Sequence, residues 1–181
     1  MKSEMNYTFR KAETSDAGAI WDILKDAIRR RKEDGSNQWQ DGYPNPDVVL
    51  SDIDKGYGYV LTEADKVIGY TAIMINDEPE YKNLKGQWLT NGDFVGYHRV
   101  AIAENYLGKG LARYMLEKIE VFAKSKNIYS IKADTNFDNK AMLRLFEKLG
   151  YVHCGEVVFR GSPRMAFEKV LEKEENLGEK I

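Results

Sequence analysis

Gly108, Lys109, Gly110, Leu111 and Ala112 follow a strand-like run that ends at Ile102 and open a long amphipathic stretch. Two glycines let the backbone approach a ligand with no Cβ in the way. The first N–H groups of a helix have no internal partners, so a helix starting here can hold a phosphate. Lys109 and Arg113 bring positive charge to the same end, which opposes the helix dipole but suits a bound pyrophosphate. A short Gly-x-Gly also serves simply to tighten a strand-to-helix turn, and both uses stay open at this level. No Gly-x-x-x-x-Gly-Lys-Ser/Thr occurs, nor a Gly-x-Gly-x-x-Gly with a distal acid, so the common nucleotide-binding loops are excluded.

The bulk properties bound the remaining choices. A chain of 181 residues can bury a full core in one domain. With 43% hydrophobic and 31% charged residues it reads as a soluble globular protein, and no apolar run approaches the roughly 18 residues of a membrane helix. Residues 1–6 lack the apolar core of a secretory signal, so the expected location is cytoplasmic. The net charge of −2 argues against nucleic-acid binding. Cys154 is the only cysteine, which excludes an internal disulfide and reads as a buried strand residue more than as a catalytic thiol. His98 and His153 are the only histidines, and no metal is expected.

The elements that must position these residues follow from hydrophobic spacing. Strands are predicted over residues 7–11, 57–62, 67–75, 94–102, 128–133, 151–159 and 164–171, with 57–62 and 67–75 forming an antiparallel hairpin. Thr14, Ser15 and Asp16 cap a first helix that places Ile20, Leu24, Ala27 and Ile28 on one face. Residues 29–34 read as a solvated charged run ending at Gly35, before a polar, aromatic-containing loop over 36–46. Further helices are expected over 47–55, 109–126 and 139–149, the last closed by Gly150, while 76–92 is less regular. In residues 94–102, His98 and Arg99 interrupt an otherwise buried strand and invite a functional reading. The domain is expected over 1–171, with 172–181 as a charged tail, frayed or loosely helical. The order gives a mixed α/β domain with parallel strands at its centre and a ligand at their carboxyl ends.

With these elements in place the chain resembles the GNAT superfamily of acyl-CoA-dependent N-acetyltransferases over nearly its whole length. The likeness is carried by His98-Arg99-Val100-Ala101-Ile102-Ala103-Glu104-Asn105-Tyr106-Leu107-Gly108-Lys109-Gly110-Leu111-Ala112 and by Asn139 through Phe146-Glu147-Lys148-Leu149-Gly150-Tyr151. It implies a single-domain mixed sheet with a splayed central parallel strand pair and flanking helices, and acetyl-CoA as cosubstrate. Gly108, Lys109, Gly110, Ala112 and Arg113 would hold the CoA pyrophosphate, and Val100, Ala101 and Ile102 would offer a strand edge to pantetheine. Asn139 matches an asparagine that steadies the cofactor arm, or else is a polar residue of a first helical turn. Two positions depart from the family pattern. Leu107 stands where the phosphate motif has Arg or Gln, and Phe146 where many members have a tyrosine that protonates the leaving thiolate. Tyr151, Tyr97 or water would then have to donate.

The resemblance implies attack of a primary amine on the thioester, for which the ammonium must first lose a proton. His98, on the strand bordering the expected gap, is the leading base, with a hydrogen bond inside the sheet as its alternative. Asp134 is the second candidate, though Asp134-Thr135-Asn136 also reads as turn chemistry. Trp39, Tyr43, Tyr81 and Trp88 would meet a cationic amine, or else pack, near acids that include Glu78 and Glu80. The acceptor would be a small-molecule or peptide amine. Leu107 and Phe146 keep a non-catalytic acyl-CoA-binding sensor in view, and a longer acyl donor is a third reading. Family members commonly dimerise, so the last strands or tail are candidate homodimer surfaces.

Overall fold

The computed structural model describes residues 6–174. In chain order these residues form β1 (Tyr7–Lys11), α1 (Ala17–Glu33), α2 (Pro46–Asp54), β2 (Gly58–Glu63), β3 (Lys66–Ile75), β4 (Lys85–Gly86), β5 (Val95–Ile102), α3 (Leu111–Ser125), β6 (Ser130–Thr135), α4 (Lys140–Leu149), β7 (Val152–Phe159) and β8 (Ser162–Val170). The strands make one open sheet in the order β1-β2-β3-β5-β6-β8-β7-β4, antiparallel except where β5 meets β6. This is the mixed α/β architecture expected from the sequence, with the parallel pair at its centre.

Alternation along the central strands sorts the residues by face. Val95 and Tyr97 of β5 and Ile131 and Ala133 of β6 join Leu116 and Ile119 of α3 and Phe146 and Leu149 of α4 in one core. Burying side chains of that size is worth about 1.5–3 kcal/mol each. On β5 and β6 the intervening positions, among them His98 and Asp134, point to the opposite face. A second core unites Ile20 and Leu24 of α1, Val49 of α2, Val60 and Tyr70.

Residues 14–16 form a short 3₁₀ turn ahead of α1 rather than its first cap. The Asp16 carboxylate accepts the Glu13 N–H at 2.7 Å and both Arg10 Nη atoms at 2.8 and 3.0 Å. Those Arg10 hydrogen bonds outweigh burial, which acts in the opposite direction, and set the Asp16 pKa below the usual carboxylate value. A lowered folded-state pKa stabilises above the ordinary carboxylate range and is lost as pH falls through the lowered value. Asp16→Ala is therefore expected to cost about 1–2 kcal/mol in urea unfolding at pH 7, with the difference shrinking toward pH 3. An equal loss at both pH values would show that the carboxylate charge contributes nothing.

Two expectations need correction. Helix α1 continues to Glu33, so the run at 29–34 is not uniformly solvated: Arg30 and Arg31 are half-buried. The stretch 76–92 holds a 3₁₀ turn (Pro79–Asn83) and β4, which adds a short edge to β7. The tail expected over 172–181 has no helix or strand at 172–174 and lies from 175 onward outside the described residues. Among the described residues no helix is long and apolar enough to cross a membrane.

Candidate active site

The central pair separates because β5 carries an extra residue. Tyr70 pairs with Ala101 and Ala72 with His98, so Arg99 and Val100 together face Thr71, and Arg99 sits at φ 59°. Such a bulge bends a strand away from its neighbour. Only Val95 and Gly96 remain paired with β6, opposite Ile131 and Lys132. The distorted stretch is anchored by Thr71 Oγ1, which donates to the His98 carbonyl at 3.1 Å, and by a bidentate Arg99–Asp52 pair at 2.6 and 2.9 Å. Tyr70 donates its hydroxyl to the same Asp52 carboxylate, and Arg99 donates to the Tyr43 hydroxyl.

Past Gly96 the splay opens into two adjoining hollows that share Arg31, Val100, Asn139 and Met142. The first, about 660 Å³, runs along Val100, Ala101 and Ile102 to Leu107 and Ala112. Gly108 and Gly110 lie beside it with φ of 76° and 75°, conformations costly to other residues, and nothing stands within 4 Å of where a Cβ would be. Among the described residues no acceptor takes the N–H of Gly108, Lys109 or Gly110. A row of free donors at a helix start fits an anion such as a pyrophosphate. Lys109 and Arg113 are turned to local partners, the Tyr106 ring at 5.0 Å and Glu117 at 3.0 Å.

Asn139 lines both hollows, but its side chain is engaged: Oδ1 caps α4 at the Met142 N–H and Nδ2 donates to Gln38, each at 3.3 Å. Arg30 and Arg31 of α1 reach the same channel. Arg30 Nη2 donates to the Ile102 carbonyl at 3.3 Å, while Arg30 Nη1 and Arg31 Nε are buried with no partner. Burial, then the neighbouring Arg30, pulls the Arg31 pKa down. Neither arginine stood out in the sequence; their spacing from the apolar positions of α1 was the available signal.

The second hollow, about 770 Å³, contains His98 between two carboxylates. His98 Nε2 is 2.7 Å from Glu78 Oε2 and Nδ1 is 3.7 Å from Asp134 Oδ2. An ionised Glu78 can only accept, which places the proton on Nε2 and leaves the Nδ1 lone pair free in the neutral ring. Burial raises the Asp134 pKa, partly offset by His98 and by the Tyr81 hydroxyl, which donates to Asp134 at 2.7 Å. Trp39 and Tyr43 line this hollow. Tyr81 and Trp88 do not: Tyr81 is 3% exposed, and Trp88 packs against its ring and donates Nε1 to its carbonyl at 2.8 Å. Their position is behind the wall, where they brace Asp134. Phe146 also lines the hollow, beside Tyr97, whose hydroxyl meets that of Tyr151 at 3.1 Å. The pairing of Glu78 with His98 was not legible in advance, because it joins positions 20 residues apart across a loop of little pattern.

The acetyltransferase (GNAT) family profile matches residues 19–151. A GNAT-family acetyltransferase structure from Streptococcus agalactiae is 32% identical, with a TM-score of 0.85 over 92% of this chain and 96% of that one. A Salmonella typhimurium structure described as an acetyltransferase with its cofactor acetyl-CoA has the same fold at 21% identity, with a TM-score of 0.67 over 94% and 96% of the two chains. N-acetylaspartate synthetase of Xenopus tropicalis is 28% identical over 123 residues, 64% of this chain and 41% of that protein. This chain thus spans about two fifths of that relative's length. A splayed strand pair with free amide donors at the next helix start, and a profile match across both, have one explanation: the chain belongs to the GNAT acetyltransferase family.

Proposed function

We propose that the protein transfers an acetyl group from acetyl-CoA to a primary amine by direct attack. The observation that carries this is that the two hollows adjoin, sharing four lining residues, so that a channel edged by free amide donors lies next to a histidine–carboxylate pair. The Xenopus relative's name, N-acetylaspartate synthetase, also denotes acetylation at nitrogen.

In this reading, residues 100–102 present strand edge to the pantetheine arm, and Gly108, Lys109 and Gly110 give their N–H groups to the pyrophosphate. Arg30 and Arg31 contribute the polar contact that Leu107 does not. The acceptor ammonium is drawn to Glu78 and Asp134 and loses its proton to His98 Nδ1, while Glu78 stabilises the imidazolium that forms. The amine nitrogen bonds to the thioester carbonyl carbon, the C–S bond breaks, and the surplus proton left on the nitrogen passes to the leaving sulfur, giving the amide and CoA thiol. Burial, then Tyr151, raises the Tyr97 pKa, so its hydroxyl stays protonated; it donates to the Tyr151 oxygen, and once Tyr151 rotates to become the donor of that pair, Tyr97 can donate to the departing sulfur in place of a tyrosine at 146. Arg30 and Tyr97 thereby answer the two departures that favoured a binding-only sensor.

Calorimetric titration with acetyl-CoA, with CoA and ADP as controls, tests the reading together with thiol release across an amine panel. Saturable micromolar binding is expected, with Kd rising about 10-fold in Arg30→Ala, the loss of one charged hydrogen bond. No binding would end the proposal, and binding without acetyl transfer to any amine would favour the sensor.

A further inference from the structure

Two guanidinium groups line the acceptor hollow without a protein acceptor among the described residues: Arg31, shared with the cofactor channel, and Arg164, which belongs to this hollow alone. Arg164 of β8 is 7% exposed and lines the same hollow as Glu78, His98 and Asp134, yet its side chain makes no hydrogen bond or ion pair among the described residues. Two other arginines in that wall are committed, while Arg31 sits where the hollow joins the cofactor channel. Arg99 is held bidentately by Asp52, and Arg160 pairs with Asp41 at 3.0 Å while lying 3.7 Å over the Tyr43 ring. Asp134, the opposite charge that acts most on Arg164, already serves His98 and Tyr81. The Arg164 nitrogens are not among the sealed, unpartnered atoms of the described residues, so they face the hollow, where a ligand that brings acceptors can replace water with charge-assisted hydrogen bonds.

We infer that Arg164 receives a carboxylate of the acceptor, so that the amine acetylated is a small, amino-acid-like molecule carrying both groups. The inference rests on the acetyltransferase reading and specifies its substrate class. Complementarity runs in both directions across the hollow: Glu78 and Asp134 face the ammonium, and Arg164 faces the anion. The planar guanidinium fork matches a carboxylate with two parallel N–H···O bonds. A polyamine, by contrast, would bring positive charge against Arg164, Arg160 and Arg99 together.

The test is acetyl transfer to the twenty L-amino acids and, in parallel, to the same compounds as carboxamides, with phosphoethanolamine as a phosphate-bearing amine. At least one amino acid should exceed its carboxamide in kcat/KM by about 100-fold. Arg164→Gln should collapse that preference through KM rather than kcat, and Arg164→Lys should restore part of it. Equal use of acid and carboxamide, or a preference that survives Arg164→Gln, overturns the inference while leaving the acetyltransferase reading intact. Preference for phosphoethanolamine overturns the carboxylate in favour of a phosphate. A second readout is independent of transfer: succinate, an anion with no amine, should raise the Tm of the wild type and not of Arg164→Gln. If acetyl-CoA binds but no amine reacts, the transferase reading fails, and succinate protection alone decides whether Arg164 is an anion site.

Discussion

Replacing His98 with glutamine is expected to lower kcat by about 10²–10³-fold while the Kd for acetyl-CoA stays within about twofold. Glutamine is near enough in reach to keep a donor toward Glu78, so the loop carrying that carboxylate should hold its place. What disappears is the Nδ1 lone pair, the one acceptor in the hollow that can take a proton and be stabilised afterwards by a carboxylate at 2.7 Å. The pH profile separates this role from a purely structural one. In His98→Gln the acid limb of kcat/KM should be that of the amine alone and so differ in shape from the wild type, a change that a purely structural role would not produce. Glu78→Gln should fall between the two, because a base without its carboxylate still accepts a proton. Turnover unchanged across pH in His98→Gln would remove His98 as the base and leave it a sheet residue.

How much of this was legible in the sequence depends on the range over which each feature is encoded. Periodicity located the strands and helices to within a few residues, because each amphipathic face repeats locally: Leu111, Met115 and Ile119 on α3 needed no partner to be recognised. The splay followed from the resemblance, while its cause did not. Arg99 looked like a functional exception, and its left-handed backbone at a bulge opposite Thr71 depends on pairing with β3 and on an acid in α2. Asn139 caps α4, as the first-turn reading has it, and also lines the channel where the cofactor reading would need it. Tyr81 and Trp88 were placed among acceptor contacts on composition, which records aromatic character but not the side of a wall on which a ring lies. Arg30, Arg31 and Glu78 were least legible. A charged residue in a charged run reads as solvated, and only the packing of α1 against β5 makes two of those charges expensive.

The Asp52–Arg99 pair gives the largest expected effect on stability. Asp52→Ala removes both carboxylate acceptors from a guanidinium whose side chain is 9% exposed, and a buried charge left unpaired in this way costs about 3–5 kcal/mol. Urea unfolding measures it as a fall in midpoint at unchanged slope. Arg99→Ala should cost a similar amount, because Asp52 keeps the Tyr70 hydroxyl as a donor just as Arg99 keeps the Tyr43 hydroxyl as an acceptor in Asp52→Ala. The double variant Asp52→Leu/Arg99→Leu separates charge from geometry. With neither charge left to strand, most of the stability should return, so the two losses will be far from additive. The bulge, however, would have lost the clamp that ties a residue at φ 59° to α2. Straightening β5 would extend its pairing with β6 beyond Gly96 and narrow the channel, so acetyl-CoA affinity should stay depressed in a variant that is otherwise stable. Recovery of both stability and affinity would show that the bulge is set by the Thr71 contact and the strand register alone, and that the ion pair only fills the space beside it.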